Sequence, residues 1–306
     1  MLYDFFKKDK YLVGDIEFGG FGAMYARRKF ILQLSQAFNR TPIFRFKHYV
    51  YDDPFESFPV DLNTLKQKNI NEIKIFDYTE NEEQAVYFDF NSYWNSPNMI
   101  KYQNRAPKNA DYLKYSGYLY DQLKINQEYT DLIDKKIQEI KEKFNIKNFN
   151  SVIGVHLRRG DKIVEIPYLS EKTVFDLVDK LKTEDNIKDC AIFITSDELQ
   201  YIEEIIEKYP QYNFIYDKEE PRYGSQHMSN LQLVASHPFL KKQETLTFMK
   251  NVEILKQCAY VIGPHGAQMS KIAGAINSYH NNSKKLFLIN SETDKLEEMG
   301  ATTASC

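Results

Sequence analysis

The stretch Val152-Ile-Gly-Val-His-Leu-Arg-Arg-Gly-Asp-Lys162, with Glu165 just beyond it, holds the densest set of groups that could do chemistry. Val152 to His156 reads as a buried strand, and two adjacent arginines, a glycine, an aspartate and a lysine follow it. Guanidiniums at the carboxyl end of a central strand need hydrogen-bonded anionic partners, and the fixed fork of donors on arginine suits a phosphate. Open α/β sheets place ligands beyond the carboxyl ends of their strands. The same arginines could instead pair with Asp161 and other acids as a structural network. Two more polar clusters follow apolar runs: Thr195-Ser196-Asp197, and Gly263-Pro264-His265-Gly266-Ala267-Gln268. On physical grounds Arg159, with Arg158, would clamp a diphosphate and stabilise it as a leaving group. Asp197 could accept from nucleobase N–H groups, or cap the helix that Thr-Ser-Asp-Glu begins; Ser196 and Thr195 offer hydroxyls. His265 and Gly266 would present backbone N–H groups at a helix start, where phosphate is favoured; His265 is otherwise a structural histidine. Glu165 is the nearest carboxylate beyond the arginines and could deprotonate an attacking hydroxyl, or be an ordinary surface acid.

Those groups need elements to hold them. From residue 151 onward, apolar strands alternate with amphipathic helices. The pattern predicts strands at 151–157, 190–195, 212–216, 259–263 and 285–289, and helices at 171–182, 198–209, 244–258 and 267–277. That rhythm means a mostly parallel sheet covered on both faces, with a long polar loop at 217–243. Before it, Gly19, Gly20 and Gly22 precede a helix whose buried face would use Ala23, Arg27, Phe30, Ile31, Leu34 and Phe38. Such glycines let a backbone turn tightly and come close to a ligand. Strands are predicted at 42–46 and 73–76, and helices near 110–126 and at 128–144, the last with Leu132, Ile133, Ile137, Ile140 and Phe144 on one stripe. Residues 80–108 read as aromatic and irregular, an acceptor-binding wall or a minor core, and 145–150 as a polar linker. The expected division is 1–150, an α/β domain on the acceptor side, and 151–306, a Rossmann-like nucleotide-binding domain.

Composition narrows the function classes. A net charge of −3, near balance in both halves, leaves no nucleic-acid footprint. Cys190, Cys258 and Cys306 make no disulfide framework, and buried thiols at the first two suit a reducing compartment. The start of the chain does not read as a signal peptide, and no run approaches 18 apolar residues. The six histidines form no HxH or HExxH, and there is no Walker lysine or GxSxG elbow. A metal-independent binder of a small phosphorylated ligand, cytoplasmic, is the expectation.

The ordered set of motifs resembles the α1,6-fucosyltransferases and their α1,2- and protein O-fucosyltransferase relatives. The likeness is carried by His156-Leu-Arg-Arg-Gly-Asp-Lys with Glu165, Phe18-Gly-Gly-Phe-Gly-Ala before a helix, Asn39-Arg-Thr-Pro-Ile, Ile192-Phe-Ile-Thr-Ser-Asp197, Tyr209-Pro with Asn213-Phe, and Gly266-x-Gln268. The resemblance implies a GT-B-like fold, two Rossmann-like domains facing across a cleft. It implies an inverting, metal-independent transfer of L-fucose from GDP-fucose to a glycan hydroxyl, with no cofactor. By that resemblance Arg159 holds the donor phosphates and Arg158 supports it. His156 and Asp197 meet guanine and ribose, and Gln268 touches the phosphates. Lys162 and Glu165 form a lysine–glutamate pair, the glutamate acting as base, and Gly160, Gly20 and Gly22 are backbone positions. The acceptor would be a glycan, a lipid-linked sugar or a surface polysaccharide precursor, reached with at most peripheral membrane association; closure would come from 217–243. The family pattern is departed from in two places. Lys162 and Glu165 stand one residue closer than in the eukaryotic core enzyme. Gly263-Pro-His-Gly-Ala resembles a family of xylosyl- and N-acetylglucosaminyltransferases, which keeps another GDP- or UDP-linked sugar open as donor. A non-enzymatic phosphate- or glycan-binding module is the rival of a different class.

Overall fold

The computed structural model describes residues 10–16, 19–47, 50–56, 63, 65, 74–75, 85–88, 110–159, 167–184, 190–222, 230–281 and 286–297. The first half builds a parallel sheet from β1 (Tyr11–Ile16), β2 (Thr41–Phe46), β3 (Lys74–Ile75) and β4 (Ala85–Phe88), in the order β2-β1-β4-β3. β1 is buried along its whole length, as a central parallel strand covered on both faces must be. A Cβ on Gly14 would lie 2.5 Å from the Ile31 side chain, so this position admits the helix that follows. The one charged residue of β1, Asp15, accepts from Arg45 Nε at 2.6 Å and Nη2 at 3.1 Å and also pairs with Lys47.

The second half builds a six-stranded sheet from β5 (Ile153–Leu157), β6 (Ile192–Ser196), β7 (Phe214–Ile215), β8 (Tyr260–Pro264), β9 (Leu286–Asn290) and β10 (Lys295–Glu297). The order is β10-β9-β8-β5-β6-β7, parallel except for β10, which runs antiparallel to β9. The chain leaves β5 toward β6 and β7, then crosses to β8 and β9. Its topological switch point is therefore between β5 and β8, where open α/β sheets form a ligand crevice.

Eight α-helices are described: α1 (Phe21–Ala37), α2 (Ala110–Gln122), α3 (Gln127–Lys143), α4 (Glu171–Glu184), α5 (Leu199–Lys208), α6 (Asn230–Ser236), α7 (Lys241–Leu255) and α8 (Gln268–Asn281). One face of the second sheet carries α4 and α5, packed through Val174, Leu177, Val178, Ile202 and Ile205 on Ile153, Val155 and Leu157. The other face looks toward the first half. There one apolar core runs from Leu12, Ile31 and Leu34 through Leu119, Ile133 and Ile137 to Val252, Ile272 and Ile276. α2 lies so close to α8 that a Cβ on Gly117 would stand 2.0 Å from the Ala275 carbonyl oxygen. No helix among the described residues is long and apolar enough to cross a membrane.

Several expectations need correction. α1 is buried nearly all round, including Arg28, Lys29, Gln33 and Ser35, while Ala23, Arg27 and Phe38 are half-buried. It packs on its own sheet and on α2, α7 and α8 together, so a single stripe could not cover it. β4 falls in the stretch read as irregular, and Trp94 and Tyr102 lie outside the described residues. The supposed linker at 145–150 holds Phe149, fully buried against Phe193 at 6.2 Å. The supposed loop at 217–243 contains α6, a 3-10 turn at Pro238–Leu240 and the start of α7. Its first part is fixed: Lys250, buried on α7, binds Asp217 at 2.6 Å and Glu220 at 2.8 Å. β10 was not anticipated. The thiols of Cys190 and Cys258 are buried, as expected, and burial pushes that of Cys258 up.

Candidate functional site

Side chains alternate across a strand, and that alternation sorts the β5 motif. Gly154 faces Leu255 and Cys258, and His156 faces Ser270 of α8. Ile153, Val155 and Leu157 join the core under α4 and α5. His156 is 5 % exposed, and its Nδ1 lies 2.9 Å from Ser270 Oγ. Burial, then the charge of Arg158, pushes its pKa down to about 3, so the ring is neutral. A Cβ on Gly263 would collide with Ser270 Oγ at 2.1 Å, so glycine at that position leaves room for the His156–Ser270 contact.

The two arginines go opposite ways. Arg159 turns to the α4–α5 face, its guanidinium carbon 3.5 Å from the Tyr201 ring centroid and 4.3 Å from that of Tyr168. Its Nη2 is 3.6 Å from Glu171 Oε1, a carboxylate that Lys208 also binds. Arg158 stays on the face toward the first half, with Nη1 3.0 Å from Asp197 Oδ2. The sequence reading gave Arg159 the leading place in a phosphate clamp. The geometry pairs Arg158 with Asp197 and packs Arg159 between aromatic rings.

Asp197, just beyond β6, ties the motif together. Its Oδ1 accepts from the backbone N–H of Arg159 at 2.7 Å, while Oδ2 meets Arg158. It does not cap α5, whose N-cap is Glu198 with no side-chain cap bond. Ser196 Oγ accepts from Glu198 N at 3.3 Å, and Ser196 O accepts from Arg222 Nε at 2.9 Å. Both Ser196 and Thr195 are buried.

Across the switch point, His265 does not offer its backbone N–H to a ligand, because that group donates to Ile289 O at 2.8 Å in the β8–β9 ladder. Ala267 N likewise closes a turn on Pro264 O. Gly266 is exposed, and Gln268 opens α8. Gly22 meets Gln268 here: a Cβ on Gly22 would lie 2.9 Å from Gln268 Cβ and 3.1 Å from Phe248 Cζ. Gly20 has open space around its Cβ position and an ordinary φ of −61°, so no backbone strain calls for glycine there. The amino ends of α1 and α8 thus converge beside the crevice, with no acidic residue in the first turn of either. Both dipole ends favour an anion. Gly160, Asp161, Lys162 and Glu165 lie outside the described residues.

Sequence reasoning missed the buried charge behind the crevice. Glu220 accepts from Lys250 at 2.8 Å and from Asn251 Nδ2 at 3.1 Å, and Arg222 Nη2 stands 3.7 Å from its Oε1. Glu244, in the first turn of α7, is 9 % exposed. Burial, then the charge of Glu220, raises its pKa to about 7; Arg158 opposes and Asp197 adds to the rise. The available signal was Glu244, Phe248 and Asn251 at i, i+4 and i+7, a stripe that places polar residues on a packed helix face. Among the described residues no group of three or more His, Cys, Asp or Glu side chains could hold a metal ion.

The family model for alpha-(1,6)-fucosyltransferase N- and catalytic domains matches residues 118–283, a span that holds the arginine pair, Asp197, Glu244 and Gln268. The chain belongs to that family. Solved structures that resemble this fucosyltransferase-family chain include NodZ alpha-1,6-fucosyltransferase soaked with GDP-fucose, 12 % identical with a TM-score of 0.47, covering 96 % of this chain and 99 % of that one. POFUT1 in complex with GDP is 11 % identical with a TM-score of 0.48, covering 92 % and 98 %. NodZ from Bradyrhizobium is 13 % identical with a TM-score of 0.43, covering 95 % and 98 %. Among curated proteins none matches the chain. The mixed α/β architecture is consistent with a GT-B-like fold.

Proposed function

We propose that this family member is an inverting glycosyltransferase that moves L-fucose from GDP-fucose to a glycan hydroxyl without a metal ion. The reading is carried by Arg158 at the carboxyl end of β5, a strand of the β5–β8 switch point, and by the amino ends of α1 and α8, which meet at Gly22 and Gln268, within a fucosyltransferase-family chain. In this reading the second half (151–306) binds the nucleotide and the first half (1–150) the acceptor. Arg158 meets the diphosphate, and charge developing on the leaving group is stabilised by it and by the two helix ends. Arg159 supports it through its backbone N–H on Asp197, and Asp197 fixes the direction of the Arg158 fork. Gln268, Gly20, Gly22 and Gly266 line the approach. His156, neutral and held by Ser270, and Ser196 and Asp197 form the floor on the nucleoside side. Lys162 and Glu165 keep the roles that the family resemblance gives them, Glu165 as base toward the acceptor hydroxyl.

The test is nucleotide release from a panel of GDP- and UDP-sugars with EDTA present, backed by calorimetry with GDP and UDP. EDTA-insensitive turnover of GDP-fucose is expected, with GDP binding lost in a folded Arg158→Ala protein. Preference for UDP would move the donor to the alternative suggested by Gly263-Pro-His-Gly-Ala. No nucleotide binding at all would refute the transferase reading.

A further inference from the structure

The segment that follows β7 is fastened by charged side chains taken out of water. Lys250 of α7 binds Asp217 Oδ2 at 2.6 Å and Glu220 Oε2 at 2.8 Å, and Asn251 Nδ2 donates to the same Glu220 carboxylate at 3.1 Å. Arg222 spreads its fork over three backbone carbonyl oxygens. Nη1 donates to that of Glu220 at 3.0 Å, Nη2 to that of Asp217 at 3.0 Å, and Nε to that of Ser196 at 2.9 Å. The first two close the segment on itself. The third leaves it, for Ser196 is the last residue of β6. We propose that Arg222, backed by Glu220 and Lys250, is a positioning residue of the donor site. It holds the end of β6 so that Asp197 aims the Arg158 fork at a nucleoside diphosphate, an inference that rests on the donor reading above.

Every link in the path is a hydrogen bond, an ion pair or a strand pairing. Ser196 stands opposite Leu157 in the β5–β6 register, so the residue after it meets the arginines that follow Leu157. Asp197 accepts from the Arg159 N–H at 2.7 Å and meets Arg158 Nη1 at 3.0 Å. On its other side the turn leads into α5, whose N-cap Glu198 makes no side-chain cap bond. The Arg222 bond therefore grips the turn one residue before the carboxylate that aims the clamp. Buried ion networks are seldom better than apolar packing for stability; what this one adds is fixed direction. A guanidinium supplies it because its donors are coplanar and rigid, whereas a single ammonium on a flexible stem cannot span three carbonyl groups. The charge of Arg222, with Nη2 3.7 Å from Glu220 Oε1, is the part that lysine would keep. A network that served packing alone would lose stability on that exchange and leave nucleotide affinity as it was.

The experiment is titration calorimetry of the full chain with GDP, well below the melting temperature, on wild type, Arg222→Lys, Asp197→Asn and the double variant. Arg222→Lys is expected to bind GDP about tenfold more weakly than wild type, a size usual for groups of one hydrogen-bonded network. With Asp197→Asn already present the same change should weaken GDP by no more than about twofold, because no carboxylate is left to aim Arg158. Equal affinities of wild type and Arg222→Lys, or a loss by the same factor in both backgrounds, would overturn this inference and leave the donor reading standing. Absence of GDP binding by the wild type would overturn the donor reading and this inference with it. Should either variant fail to fold, or Asp197→Asn bind no GDP, hydrogen exchange of the wild type decides. Glu219 and Glu220 donate their backbone N–H groups to Asp217, at 3.1 Å to Oδ1 and 3.4 Å to O, so their exchange reports opening of the segment. Coupling is reciprocal, so bound GDP should slow that exchange about tenfold; exchange left unchanged by GDP would be the refuting result.

Discussion

Replacing Glu244 by glutamine should stabilise the ligand-free protein at alkaline pH and do little in acid. The folded-state pKa, about 7, stands above the ordinary value of 4.5. The folded protein therefore holds this proton through the window from 4.5 to 7, while the unfolded chain releases it. Wild-type stability from this group is fully present below pH 4.5, declines through the window and is lost above about 7. At about 1.4 kcal/mol per unit, the charged form costs the folded state about 3 kcal/mol at pH 8 and below about 1 at pH 5. Glutamine keeps the shape and has nothing to ionise, so the advantage of Glu244→Gln over wild type should grow by about 2–3 kcal/mol between those pH values. Thermal melts of both proteins at pH 5, 6, 7 and 8 would read it as a midpoint difference that widens by several degrees. A difference that stays constant, or that narrows with pH, would refute the claim that burial and Glu220 hold this carboxyl high.

Arg159→Ala should lower the melting temperature, because stacking on Tyr168 and Tyr201 is worth about 2 kcal/mol when largely desolvated. Its GDP affinity, measured by calorimetry, should fall less than that of Arg158→Ala. Gly117→Ala should destabilise by at least about 1–3 kcal/mol, since its Cβ would meet the Ala275 carbonyl oxygen and backbone must move; Gly20→Ala, with nothing within 4 Å, should melt close to wild type. Lys250→Met should cost about 3–5 kcal/mol in a denaturant titration by leaving Glu220 and Asp217 with an uncompensated charge.

The second half of the fold was legible because its strands are apolar and its helices amphipathic, two periods that local sequence displays directly. Helix α3 was legible for the same reason, and its Ile133, Ile137 and Ile140 are buried. α1 was read too narrowly. Arg28 lies under the aromatic rings of Phe44, Phe46 and Phe55, at 5.6, 4.8 and 4.6 Å, and pairs with Asp53. Those partners come from later segments, so nothing local marks that arginine as buried. The strand-end positions of Arg158-Arg159, Ser196-Asp197 and the His265 turn were legible, since each follows an apolar run that forms a strand. The different directions that the two arginine side chains take were not, because they depend on tertiary partners, Asp197 for one and Tyr168 and Tyr201 for the other. The His265 N–H was misjudged because β9, more than twenty residues on, supplies its acceptor. Glu244 and Lys250 were missed because a charged residue on a helix is ordinarily solvated, and only tertiary packing removes the water.

The Gly117–Ala275 crossing has a mechanical consequence. A helix that precedes the second sheet in the chain is pressed at Gly117, backbone to backbone, on the helix that follows β8, and Tyr118 and Asp121 lock onto Tyr279 and His280 beside that point. A hinge needs a surface on which parts can slide, and an interlocked contact of this kind resists sliding. Substrate entry is then better served by displacing short segments at the rim of the crevice than by swinging one sheet away from the other. Severing the chain at residue 150 would separate α2 and α3 from the α7 and α8 surfaces that they cover, so fragments cut there should expose apolar seams and aggregate, whereas the intact chain should melt as one body.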